Sequence, residues 1–190
     1  SLSLEGAVRQ EGSKIDASGD VHLGKSLSFT KPRVALTWAP SQVWQVRLRF
    51  EREVGQLNFD DFVAKSSLNT STVTAGNPDL NPEQAWVSEA AVERDFWGAG
   101  SLVVTARHYA LTDAVDRAPI FLPGGGFFDA PANIGAGTKD ELTAELTLPM
   151  DKLGLKGAQL KGFYTHRWSQ VTDPTVHRKR EISSLKPDEW

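Results

Sequence analysis

The sequence predicts an all-β fold, an antiparallel meander with one oily and one charged face. Apolar residues recur at every second position, Gly- and Pro-marked turns divide the chain, and no helical stripe of comparable length competes. The chain has 190 residues, 39% hydrophobic and 24% charged, with a formal net charge of -3. That is enough for one ordinary domain, too apolar for a disordered chain and too neutral for a protein that coats nucleic acid. Cysteine is absent, which excludes disulfide scaffolds, thiolate metal centres and cysteine nucleophiles. Mean hydropathy is -0.34 and apolar stretches are short, so no helix spans a membrane, and Ser1–Gln10 does not read as a secretory leader. Strand-built membrane proteins stay open, because their hydropathy signal per segment is weak and alternating.

Taken in order, the candidate strands begin with Leu2–Glu11 and Arg33–Trp38. The clearest run follows at Val43–Val54, where Trp44, Val46, Leu48, Phe50 and Val54 share one face and Gln45, Arg47, Arg49, Glu51 and Glu53 the other. Trp86–Phe96 and Ser101–Tyr109 come next. In Glu141–Leu148, Leu142, Ala144, Leu146 and Leu148 oppose Glu141, Thr143, Glu145 and Thr147. Gln159–Trp168 follows, and a last strand begins near Arg178.

The connections alternate in length. Ala39–Gln42, Trp97–Gly100 and Pro149–Gly157 are tight, whereas Ile15–Thr30, Gly55–Ala85, Leu111–Gly137 and Ser169–Lys179 are long. Short turns at one end and long loops at the other are what an antiparallel meander crossing an outer membrane needs. Trp38, Trp44, Phe96 and Trp97 cluster at the short-turn ends, as aromatic girdles do at a membrane interface. The pattern therefore predicts the antiparallel meander of a transmembrane outer-membrane β-barrel. Arg52 tests the register, because it falls on the oily face. Eight positions beyond Trp44 is ~26 Å along a strand, or ~20 Å of height at a tilt of about 40° in an apolar band ~25 Å tall, where a charge costs only ~0–1 kcal/mol.

Candidate chemistry is sparse. His22, His108, His166 and His177 offer no pair with close metal-ligand spacing on one face, so no metal site is predicted. Asp113 and Asp116 lack the glycine-spaced acidic pattern of a calcium loop and read as turn residues. No phosphate-cradling loop or nucleophile elbow is present, so the sequence predicts no catalytic residue and no cofactor. Gly124, Gly125 and Gly126 lie between Phe121 and Phe127-Phe128 in a long loop, where flexible glycines flanked by aromatics are candidates to close over a ligand. Arg47, Arg49, Glu51, Glu89, Glu93, Glu141, Glu145, Lys161 and Arg167 form the charged face. In a barrel they line a wet lumen; in a soluble sheet they are its solvent face.

The segment Gly76-Asn77-Pro78-Asp79-Leu80-Asn81-Pro82-Glu83 resembles a signature loop of TonB-dependent outer-membrane receptors, with Asn81 in place of the more usual Lys. Leu4–Arg9 and Val46–Phe50 look like upward strands of that barrel. Asn133-Ile134-Gly135 running into Glu141–Leu148, and Gly162–Thr165 before Asp173-Pro174, resemble further segments. The likeness covers nearly the whole chain. It implies a non-enzymatic receptor that imports a scarce nutrient of the siderophore, haem, cobalamin or carbohydrate class, with energy from a TonB-type coupling protein. It also implies a Gram-negative outer membrane, contact with its lipid, and a barrel of about 22 strands around a plug.

Against that pattern residues 1–190 read as a partial barrel domain of about 7–8 strands without the plug, completed by the remaining strands of a parent chain. Two other readings keep the all-β fold. One is a soluble β-sandwich binding module for carbohydrate. The other is a small closed barrel with lipid-modifying activity, for which no catalytic constellation is present.

Overall fold

The computed structural model describes residues 1–17, 23–57, 65–67, 72–74, 77, 79–121 and 125–190. In chain order the strands are β1 (Leu2–Ala17), β2 (Leu23–Trp38), β3 (Trp44–Val54), the short pair β4 (Lys65–Ser67) and β5 (Thr72–Thr74), then β6 (Gln84–Phe96) and β7 (Gly100–Leu111). A small hairpin, β8 (Val115–Phe121) and β9 (Phe127–Asn133), precedes β10 (Gly137–Pro149), β11 (Gln159–Thr172) and β12 (Lys179–Arg180). Eight of these build one antiparallel sheet in the order β1-β2-β3-β6-β7-β10-β11-β12. Among the described residues β1 and β12 do not pair with each other, so the sheet is open.

The period-two pattern survives pairing. Leu36, Leu48, Ala90, Ala106 and Leu142 stand opposite one another in a single row, and Trp38, Val46, Val92, Val104 and Ala144 form the next. This apolar face is uncovered among the described residues: Leu4, Val8, Leu48, Phe50 and Leu160 are all exposed. A sandwich would bury that surface beneath a second sheet ≈ 10 Å away. The sandwich reading ends here.

The apolar run also slides along the sheet. In the row of Trp38, β2 ends, whereas β6 continues four residues to Phe96 and β10 five to Pro149. At the other end the apolar stretch gives way at Asp140 on β10. On β1 it continues past Gly6, in the same row, to Val8. A belt that steps along its strands is what tilted, staggered strands of a barrel produce.

The tight turns match the glycine signals. Trp97 and Gly98 adopt φ of 54° and 83°, a left-handed step that closes the three residues between Phe96 and Gly100. Between β10 and β11 one 3-10 turn, Asp151–Leu153, precedes Gly154, and Asp151 Oδ1 accepts the Gly157 amide at 2.8 Å.

Three expected loops are partly or largely strand. The Ile15–Thr30 connection shrinks because β1 runs to Ala17 and β2 starts at Leu23, in continuous register from Leu2↔Trp38 to Ala17↔Leu23. Alternation ends there while pairing does not: Gln10, Ser28 and Thr30 replace apolar contacts with hydrogen bonds of 2.7–2.8 Å. Likewise β11 reaches Thr172, leaving 173–178 as the connection. Leu111–Gly137 is a structured hairpin (β8–β9) rather than an open loop.

Candidate functional site

The charged face condenses into a ladder. Arg49, Glu89, Arg107, Glu141 and Arg167 stand directly opposite one another on five successive strands. Arg49 Nη2 meets Glu89 Oε2 at 2.8 Å, and Glu89 Oε2 meets Arg107 Nε at 2.5 Å. Arg107 Nη1 meets Glu141 Oε1 at 2.7 Å, and Glu141 Oε2 meets Arg167 Nε at 2.7 Å. The chain of charge extends to Glu51 and Arg33 at one end (2.5 and 3.7 Å) and to Glu189 at the other (3.2 Å). Eight charges alternate in sign and sum to zero. The guanidinium groups of Arg49, Arg107 and Arg167 are each shared between two carboxylates, so the ladder holds register: a one-residue slip of any of its strands would turn that strand's charge onto the oily face.

A second rung joins Arg47 to Glu93 at 2.6 Å. Glu145 and Lys161 share the face, exposed and without a described ion partner. All nine predicted charged-face residues therefore lie on one side of the sheet, seven of them in the network. The missed members are Arg107, its centre, and Arg33 and Glu189 at its two ends. Val103 on the charged face and His108 on the oily one blur the alternation of the Arg107 strand.

Beyond the ladder, toward the long loops, the same side carries the molecule's core: Ala85, Val87, Leu111, Ala114, Val171 and Ile182. Ile182 belongs to a segment that leaves β11 after Val171↔Arg180 and rejoins it at Thr165↔Glu189. Leu185 of this excursion packs against the core together with Tyr109 and Ile134.

The signature loop sits at the centre of this end. Gly76 and Pro78 lie outside the described residues. Asn77 donates through Nδ2 to the Pro131 carbonyl at 3.0 Å and accepts the Asp79 amide at 3.1 Å. Leu80 is buried, and Lys25 of β2 donates to its carbonyl at 2.6 Å. Asn81 exchanges two hydrogen bonds with the Asn133 side chain, at 2.8 and 3.0 Å. Pro82 is buried, and Glu83 accepts the Val115 amide at 3.2 Å and pairs with Lys139 at 3.7 Å. The motif thus ties β2, both ends of the β8–β9 hairpin and β10 together. Lys25 gave no signal in the sequence, and Asn133 only as part of the Asn133-Ile134-Gly135 resemblance, without its role in the clasp.

Asp116 is no turn residue. Its side chain is fully buried and accepts the Ser183 hydroxyl, the Ser183 amide at 3.0 Å and Arg180 Nη1 at 2.5 Å. Burial pushes its carboxyl up, but the Ser183 groups, Arg180 and the Arg117 amide outweigh that and hold it below the ordinary range. Arg180 also reaches Asp173 at 2.8 Å; with the Val176 and Thr175 amides it pulls the Asp173 carboxyl down to about 2.

From this anchored base the hairpin projects outward. Phe121 and Phe127 are exposed at its tip with ring centroids 6.0 Å apart, and Gly125 and Gly126 have positive φ. Phe128 is half-buried. Gly124 lies outside the described residues.

On the oily face, Phe50 stacks on Trp86 at 5.0 Å and Arg52 hydrogen-bonds Gln84. His108 pairs with Asp140 at 2.6 Å and His166 with Asp188 at 2.7 Å. Among the described residues no group of His and acids is arranged to hold a metal ion.

A family model described as TonB dependent receptor-like, beta-barrel, matches residues 1–169. The chain belongs to this family. No curated protein matches the sequence. Family membership makes the sheet part of a transmembrane outer-membrane β-barrel, and its relatives are receptors and transporters rather than enzymes. In such a barrel short turns face the periplasm and long loops the outside. The signature clasp, the core and the aromatic hairpin of this receptor then stand at its outer end.

Proposed function

We propose that this chain is a barrel segment of a receptor that captures a scarce small nutrient outside the cell and imports it with TonB-coupled energy. The nutrient is of the siderophore, haem, cobalamin or carbohydrate class, and the membrane is that of a Gram-negative cell. The observation that carries the reading is a rigidly clasped hairpin presenting two exposed phenyl rings above a charged inner face. Phe121, Gly124, Gly125, Gly126, Phe127 and Phe128 make the substrate contact: rings supply apolar area, and glycines let backbone approach a ligand. Arg47, Arg49, Glu51, Glu89, Glu93, Glu141, Glu145, Lys161 and Arg167 face the lumen and the plug domain. Most are neutralised by one another, which leaves Glu145 and Lys161 free for charge-assisted hydrogen bonds to the plug. Residues 1–190 supply eight strands, and the parent chain's remaining strands and plug complete the transporter.

The test is uptake by cells carrying the intact receptor. Phe121→Ala with Phe127→Ala is expected to cut uptake of its nutrient at least tenfold while the receptor stays folded in the outer membrane. Collapse of the proton-motive force is expected to abolish it. Unchanged uptake under both treatments would overturn the proposal.

A further inference from the structure

The oily face is not uniformly smooth. Where β6 and β7 cross its middle, the side chains shrink to Ser88, Ala90 and Ala106. Leu48 and Phe50 on β3 wall one side, and Leu142 on β10 the other. The result is a groove of about 540 Å³. Val92 and Val104 close it toward the periplasmic turns, and Trp86, stacked on Phe50, bounds it toward the loops. It lies in the part of the belt nearer the long loops, hence in the outer leaflet.

His108 and Asp140 line its loop end, and Arg52 stands one row further toward the loops, opposite Trp86. His108 is half-exposed with only Nδ1 engaged, by Asp140. Arg52 donates to the neutral amide of Gln84 and, among the described residues, has no carboxylate partner. A groove dry enough for hydrocarbon, with a guanidinium one row beyond it that has no carboxylate partner among the described residues, fits a long apolar chain ending in an anion.

We propose that this groove holds one acyl chain of a phosphorylated, multi-acyl glycolipid of the outer leaflet, whose phosphate meets Arg52. The proposal rests on the outer-membrane reading above, because only a face turned to hydrocarbon presents the groove to lipid. It goes beyond it by assigning a fixed lipid to a fixed place. Each methylene seated on protein replaces mobile lipid contacts, so the preference comes from shape fit and the phosphate rather than from hydrophobic transfer. Arg is suited to the second role, since its planar fork matches phosphate oxygens.

The experiment is native mass spectrometry of the intact receptor, extracted mildly and washed. The wild type is expected to retain one lipid A per barrel. Ala90→Leu and Ala106→Leu fill the floor and are expected to lower occupancy at least tenfold, whereas Ala144→Leu, on the same face outside the groove, leaves it unchanged. Arg52→Gln is expected to lower it several-fold. Heat-modifiable mobility checks that each variant is folded; if a leucine variant is not, Ala90→Val and the lipid content of the wild type still decide. A wild type without lipid A, filled variants that retain it, a diacyl phospholipid alone or a co-purifying polypeptide in its place would each overturn the proposal. Nutrient uptake, measured in parallel, separates loss of the lipid site from failure of the transport reading.

Discussion

Arg107 shows how one side chain can hold three strands in register at the centre of a five-strand row. Its guanidinium bridges Glu89 and Glu141 across both of its neighbouring strands. With side-chain exposures of 13–33% from Arg49 to Arg167, the rungs sit between surface ion pairs worth little and buried ones costly to break. Arg107→Gln removes both rungs at once but leaves Glu89 with Arg49 and Glu141 with Arg167. The expected loss in urea unfolding of the reconstituted receptor is ~1–3 kcal/mol. Adding Glu141→Gln is expected to cost less than the sum, with a coupling of about 1 kcal/mol; strict additivity would mean the ladder is a row of independent surface charges. Most of these residues were legible in the sequence, since Arg47, Arg49 and Glu51 alternate cleanly with the oily stripe. Their pairing was not, because register between distant strands is set by tertiary contacts. Arg107 escaped notice because its strand is of mixed character, and Asp116 read as a turn residue because its partners lie 64 and 67 positions away.

Among the elements, the β8–β9 hairpin depends most on distant parts of the chain. Its base is held by the signature loop on one side and by Asp116, Arg180 and Ser183 on the other. Asp116 and Asp173 both titrate below the ordinary aspartate value. A carboxyl depressed by folding stabilises the folded state above its unfolded value, ≈ 3.9 for Asp, and the contribution fades as pH falls through the folded value. Arg180→Gln is therefore expected to lower the thermal midpoint at neutral pH by a margin that holds from pH 7 to 5. That margin should shrink between pH 4 and 2, where Asp173, held to about 2, takes up its proton. A margin lost by pH 6, or intact at pH 2, would contradict the latch. The sequence marked this region as loop because Gly, Pro and Asn crowd it. Of the anchors that order it, Lys25 and Ser183 are ordinary polar residues with no pattern of their own, and Asn133 stood out only by resemblance, without its partner. The strand extensions on β1 and β2 were hidden for a related reason: outside the belt the outward face turns polar, and Leu27 and Phe29, on the other face, stand opposite Ser13 and Glu11, so the apolar trace is short and one-sided.

For the molecule as a whole, one sheet carries opposite environments on its two sides. Its oily belt steps along the strands as a tilted barrel requires, and its edges at β1 and β12 offer the backbone groups that a neighbouring strand must satisfy in lipid. The absence of cysteine from these 190 residues makes the decisive measurement direct. Spin labels placed one at a time from Trp44 to Val54 and from Ser101 to Tyr109, in the intact receptor in bilayers, report access to oxygen from lipid and to a nickel chelate from water. The account predicts strict alternation: positions 44, 46, 48 and 50, and 102, 104 and 106, reached by oxygen, with 45, 47, 49 and 51, and 103, 105 and 107, lying on the aqueous or plug-facing side. Oily-stripe positions closed to both reagents would place a second protein layer over them and contradict it.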